Sequence, residues 1–240
     1  MNIFALDRDP YVAASFHCDK HVVKMIVEYA QLLSTAHRQL DGTPTLIEWE
    51  NTHVLKNEAG QAISESSFPK RKTLLVLPGE TPYVEYETVS YGNDDNETHV
   101  EVSGKAELLG RKCYNSTHYN HPSAVWARQT DANYHWLVQL FDGVLREYEK
   151  RYQKKHATEK LREFFLIAPK NIDKGVLTPF ALAMPDEYKV DDEVLSYQNY
   201  YVGDKARFAK WTEPATVPKW FSNRVQDDES NFQRPSRVRG

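Results

Sequence analysis

Between Phe16 and Arg38 the sequence runs FHCDKHVVKMIVEYAQLLSTAHR, and His17, His21, Lys24, Glu28, Gln31, Thr35 and Arg38 recur in it at spacings of 4, 3, 4, 3, 4 and 3. On a helix that spacing puts all seven on one side. Two imidazoles, an amine and a carboxylate within two turns are groups that move protons near neutral pH. An amine whose charge is suppressed by burial or by neighbouring cations can attack an electrophilic carbon and form a Schiff base. A carboxylate beside it can take the proton or stabilise positive charge developing at a sugar C1′. Lys24 and Glu28, at i and i+4 with His21 one turn earlier, have the spacing for this, and the same pair also reads as a surface ion pair worth a few tenths of about 1 kcal/mol. His17 with His21, and His118 with His121, are pairs with metal-ligand spacing. No HExxH and no Cys-x2-Cys accompanies them, so no metal and no cofactor is expected. Phosphate-cradling glycine loops and a G-x-S-x-G elbow are also absent from the sequence, which lowers the case for a kinase, a dinucleotide enzyme or an ordinary α/β hydrolase.

Elements must hold these groups in place. Val22, Val23, Ile26, Ala30, Leu33 and Ala36 supply the apolar side of the first helix. Asp9-Pro10 fits its start and Asp41-Gly-Thr-Pro44 its end, so it is expected from about residue 10 to Leu40. Between Thr45 and Lys105 the character changes: Thr73–Leu77, Tyr83–Tyr91 and Thr98–Val102 are short β-rich runs separated by turn residues. His121-Pro122 opens a second long amphipathic helix through Tyr152, with Arg128, Asp131, His135, Asp142, Arg146 and Glu149 on its polar side. Arg128 and Asp131 have ion-pair spacing. The basic cluster Lys150–Lys155 is expected to close the helix and stay solvated. A shorter helix over about Thr158–Ile167, an extended crossing at Thr178–Pro185 and two short helices, Glu193–Tyr201 and Lys205–Trp211, complete the reading. In the last two, Tyr197, Tyr200, Tyr201, Phe208 and Trp211 interleave with Lys205, Arg207 and Lys210, the composition of a base-stacking, phosphate-holding surface.

The expected fold is therefore mainly α with a small antiparallel β-sheet insertion, an α+β arrangement around a compact helical core built on two long helices. Residues 1–40 and 111–221 form that core, 41–110 the β-rich acidic insertion, and 222–240 a flexible basic tail. Residues 41–110 carry 13 acidic and 5 basic side chains, a balance of −8, and the remainder carry 21 and 25, a balance of +4. The acidic segment masks a mildly basic body, which permits a phosphate-bearing partner. Cys18 and Cys113 are too few for a disulfide framework, and no apolar run approaches membrane-spanning length, so reduced thiols, no membrane partner and a cytoplasmic location are expected.

The segment Cys18-Asp-Lys-His-Val-Val-Lys-Met-Ile-Val-Glu28 resembles the first-helix segment of the phage pyrimidine-dimer DNA glycosylase/AP lyase family, with Asp19, His21 and Glu28 matching without a gap. His121-Pro122 with Val125-Trp126 and the helix after it resembles a later helix of wider relatives. Tyr197–Trp211 is loosely similar to the family's aromatic, DNA-facing end. The resemblance implies a compact helical fold, no metal, a catalytic Glu at Glu28, base excision by an amine nucleophile and strand cleavage by β-elimination. The family's nucleophile is the α-amino group behind a removed initiator Met. Asn2 should block that removal, and Val27 stands where the family has a phosphate-contacting Arg. Either Lys24 supplies the amine or the scaffold performs different chemistry.

The expected activity is that of a phage-type enzyme acting on a nucleobase or on DNA, glycosylase/AP lyase-like. Glu28, Lys24 and His21 are the catalytic candidates. His17, Asp19, Arg38, His121, Arg128, Asp131, Tyr197, Lys210 and Trp211 are the substrate-binding ones, with DNA or a nucleotide as substrate. The alternatives are a transferase modifying phage DNA bases or nucleotides, and a non-catalytic protein that blocks a host defence factor through the acidic insertion.

Overall fold

A computed structural model describes residues 2–92 and 97–224. The chain divides into two compact units: residues 1–40 with 116–240, and residues 41–115.

In the first unit, α1 (Pro10–Ser15) begins where Asp9 caps it, its carboxylate accepting the Tyr11 and Val12 N–H groups at 2.8 and 3.0 Å. The chain then leaves helical geometry before α2 (Asp19–Asp41). The single helix expected from residue 10 to Leu40 is thus two. The cause lies far along the sequence: the Arg151 guanidinium donates to the carbonyls of Ser15 (3.2 Å) and His17 (2.8 Å), and also to Asp19 and Glu147. Its side chain is only 2% exposed, so this member of the basic cluster is not solvated. A buried guanidinium is tolerable only when its donors are matched, and here they are.

Along α2 the environment changes. Its amino-terminal half leaves Lys20, Val23 and Lys24 exposed, whereas residues 32–38 are all buried, Ser34, Thr35, His37 and Arg38 included. Those polar groups are matched inside the unit. Ser34 Oγ donates to the Ala30 carbonyl at 2.6 Å, Thr35 Oγ1 exchanges hydrogen bonds with the Thr117 backbone, and His37 Nε2 lies 2.8 Å from the Tyr134 hydroxyl.

The second long helix is also interrupted. α3 (Pro122–Ala127) stops, and Thr130 starts α4 (Asp131–Tyr152) by accepting the Asn133 N–H at 3.1 Å. Packing of α4 against α1 depends on Gly143, where a Cβ would stand 2.7 Å from the Ala14 methyl. A 3-10 turn (Ala157–Leu161) leads into α5 (Arg162–Phe165). After it, an extended crossing lays Phe180 against Trp136 and Trp126, with ring centroids 4.6 and 5.4 Å apart. α6 (Glu193–Tyr200) continues as a π-helical turn, Tyr201–Lys205, and the helix expected over Lys205–Trp211 does not form. Residues 219–224 are helical; most of the tail expected over 222–240, from residue 225 on, lies outside the described residues.

The second unit corrects the expected fold class. It is no small insertion but a four-stranded antiparallel sheet of β1 (Thr43–Lys56), β2 (Ala62–Val76), β3 (Thr81–Gly92) and β4 (Thr98–Leu109), in the order β2-β1-β4-β3. The chain is α+β, with the sheet a principal element. β1 pairs with β4 only over Thr52–Lys56 and Thr98–Val102. Beyond that stretch the two hairpins part around Leu74, Ala106 and Leu108, with Ile47, Trp49 and Val76 packed on them. Trp49 lies so close over Gly104 that a Cβ there would meet the indole at 2.3 Å, and Asn51 Oδ1 accepts both the Trp49 Nε1–H and the Gly104 N–H. Pro69 on β2 and Pro82 on β3 fall on the two edge strands, where a missing N–H is harmless.

Candidate functional site

Of the three catalytic candidates, all on the amino-terminal half of α2, Lys24 and Glu28 reach the surface and His21 is buried. Lys24 Nζ lies 3.1 Å from Glu28 Oε1, the lysine side chain 68% exposed and the glutamate 16%. The carboxylate is thus set into the surface with the amine above it. His121 is within electrostatic reach. Desolvation holds its pKa below the ordinary imidazole value, the positive charge of His118 lowers it further, and Glu28 opposes this.

Beside this pair the chain from Tyr200 to Lys210 forms a basic, aromatic ledge. Lys20 Nζ stands 5.3 Å from the Phe208 ring centroid, and the Arg207 guanidinium is at the same distance. Lys205 Nζ is 4.3 Å from the Tyr200 ring and pairs with Asp204. The ledge is fixed to the start of α2 by Asp19. Its N–H donates to the Lys210 carbonyl at 2.8 Å, and its Oδ2 accepts from the Thr212 N–H and hydroxyl.

The two histidines of the row are placed in the packing. His17 precedes α2 and is fully buried. Its Nδ1–H donates to the Ala13 carbonyl at 2.7 Å, so its Nε2 accepts from the Tyr29 hydroxyl, also at 2.7 Å. Burial, with Arg151 nearby, pushes its pKa down to about 4. His21 lies 4.4 Å from the Phe4 ring in a stacked pair, and its Nδ1 is 2.6 Å from the Tyr201 hydroxyl, which also accepts the Cys18 N–H. Burial depresses its pKa far below the usual value, and His17, Lys205 and Lys24 add to this. His21 is therefore a neutral ring supporting the turn beneath Lys24, in place of the proton carrier expected there.

Most of the expected substrate-binding residues are tied into the fold. Asp19 is spent on Arg151 and Thr212. Arg38 is 1% exposed. Arg128 donates to the Ala124 carbonyl that ends α3, and Asp131, with which an ion pair was expected, instead accepts the Gly175 N–H. Tyr197 is buried with its hydroxyl on the Ala181 carbonyl, and Trp211 Nε1–H donates to the Phe16 carbonyl. His121 caps α3 through the Ser123 N–H. The Lys210 side chain is exposed on the ledge. Sequence reasoning gave no role to Lys20 or Phe4, and the aromatic and basic interleaving around Phe208 was the one signal for the ledge.

Among the described residues, no group of three or more His, Cys, Asp or Glu is placed to hold a metal ion. No helix among them is long and apolar enough to cross a membrane. Compared with protein-family models, curated proteins and solved structures, the chain matches none.

Proposed function

We propose that the chain is a nucleobase- or DNA-acting enzyme of the glycosylase/AP lyase type, working in a cytoplasm, with Lys24 and Glu28 at its reaction centre. The observation that carries this reading is the amine held 3.1 Å from a recessed carboxylate, with the Lys20–Arg207–Phe208 ledge alongside. In this reading the ledge holds backbone phosphates and stacks an extruded base. Glu28 takes a proton from Lys24 Nζ, the freed amine attacks C1′, and the bond to the base breaks with its electron pair leaving on the base, which takes that proton from Glu28. Glu28 accepts the proton that the new C–N bond displaces from Nζ. As the C1′–O4′ bond breaks, O4′ takes that proton and the Nζ lone pair closes the protonated Schiff base; this acidifies C2′, and loss of a C2′ proton expels the 3′ phosphate with its bonding electron pair. The test is borohydride trapping on duplex DNA containing an abasic site. A covalent adduct lost in Lys24→Ala assigns Nζ. An adduct kept in Lys24→Ala and lost when the α-amino group is blocked assigns the amino terminus. No adduct with any form of the protein contradicts the reading.

A second reading draws on the sheet unit, which exposes Leu46, Phe68, Tyr83, Tyr86 and Tyr91 within the segment of balance −8. Apolar and aromatic side chains on an acidic surface suit a basic protein partner. Replacing Glu85, Glu87 and Glu101 by Gln should abolish such an association in a pull-down while Glu28→Gln leaves it intact; the opposite pattern contradicts this reading.

A further inference from the structure

On the outer side of α4 a cleft of about 1160 Å³ opens between α1, α4 and the segment from Lys155 to Leu166. Its floor is Asp142, 7% exposed. One carboxylate there meets three groups: the Tyr11 hydroxyl donates to Oδ2 at 3.2 Å, Arg146 Nη2 is 2.8 Å from Oδ2, and Arg162 Nη2 is 2.5 Å from Oδ1. A single negative charge cannot neutralise two guanidiniums. Arg162 and Arg146 each reach the carboxylate through one Nη2, and a guanidinium carries five N–H donors, so neither is exhausted by that contact. Arg146 is stacked over the Tyr11 ring at 5.3 Å, which holds it at the rim. Their side chains are 63% and 41% exposed. The rest of the lining is balanced: Glu159 is taken by Lys155 at 3.2 Å, and Lys160 offsets Glu163.

Two preset arginines on one carboxylate, with donors to spare, form a receptor for a planar or tetrahedral oxyanion. The excess is one positive charge, and a phosphate monoester, which carries at least one negative charge and three acceptor oxygens, can accept from both guanidiniums at once where a carboxylate has two oxygens to share between them. The volume of about 1160 Å³ slightly exceeds the usual range of small-ligand pockets, which leaves room for a nucleoside or sugar behind the phosphate. We propose that this cleft binds a small-molecule phosphate monoester, its phosphate received by Arg146 and Arg162. The site is separate from Lys24 and Glu28 and does not depend on their chemistry.

The test is isothermal titration calorimetry of the full chain in phosphate-free buffer with dAMP, and with a single-stranded 12-mer lacking terminal phosphates. The account expects saturable binding of one dAMP per chain. Affinity should fall at least about tenfold in Arg146→Gln and in Arg162→Gln, as for loss of a charge-assisted hydrogen bond. The exposed control Lys189→Gln should bind as the wild type does. Circular dichroism establishes that the variants are folded. For the wild type alone, raising salt from about 50 to about 200 mM should weaken dAMP binding, since the attraction is ionic. Absence of saturable dAMP binding, binding unaltered in the double variant, or binding of the 12-mer through these arginines without dAMP binding would each overturn the proposal.

Discussion

The two halves of α2 carry the same kinds of residue and use them in opposite ways. Before Leu32 the helix lies against the unit with one stripe open, and Lys24 and Glu28 meet there at the surface. From Leu32 to Arg38 it is enclosed all round, and its Ser, Thr and His side chains close hydrogen bonds within the unit. A polar residue at helical spacing therefore reports a reactive face only where solvent reaches it. Where it is buried, the same residue specifies packing, because a buried polar group must find its partner.

The contrast can be broken most strongly at the junction that positions the open half. Arg151→Met leaves Asp19 and Glu147 without their buried partner and frees the carbonyls of Ser15 and His17. Urea unfolding should show a loss of about 3–5 kcal/mol, and a loss below about 1 kcal/mol contradicts the role given to it. Next comes Leu33→Ala in the enclosed half, expected to cost about 2–5 kcal/mol through the cavity it leaves.

His17 gives a pH-dependent contrast. Its folded pKa of about 4 lies below the ordinary 6.5. Above pH 6.5 the ring is neutral in both states and its contribution is complete. As pH falls from 6.5 towards 4 the unfolded chain takes a proton that the folded chain refuses, so stability declines by up to about 3 kcal/mol. His17→Asn should flatten that part of the stability profile relative to wild type; identical profiles would show that the ring does not stay neutral. The smallest effect is expected on the open stripe, where Val23 is 43% exposed. Val23→Ala should shift stability by less than about 0.5 kcal/mol, and a loss comparable with that of Leu33→Ala would show that the stripe is covered.

The sequence carried the helical period of α2, the cap at Asp9, the first helical position at Pro122 and the β character of β3. The break at Phe16–Cys18 was not legible locally because its cause, Arg151, is remote in sequence. β1 escaped for another reason. Ile47 and Trp49 face the cluster between the hairpins, whereas Val54 lies opposite Val100 further along. From Asn51 to Lys56 every residue is half-buried, so the alternation seen up to Trp49 disappears and a period-2 reading has no contrast to follow. Of the site, the Lys24–Glu28 spacing was readable, whereas the burial of His17 and His21 depends on rings contributed by Phe4 and Tyr201. No local pattern in the first helix signals those partners.

The most direct test of the central claim pairs activity with stability in Glu28→Gln, assayed under single turnover on duplex DNA carrying an abasic site or a pyrimidine dimer. The account predicts wild-type turnover of one of these substrates, loss of that turnover in the variant, and a urea midpoint close to wild type, since the side chain lies at the open stripe and its Lys24 partner is exposed. Wild-type turnover in a folded Glu28→Gln variant would contradict the claim that the open half of α2 is where this protein acts.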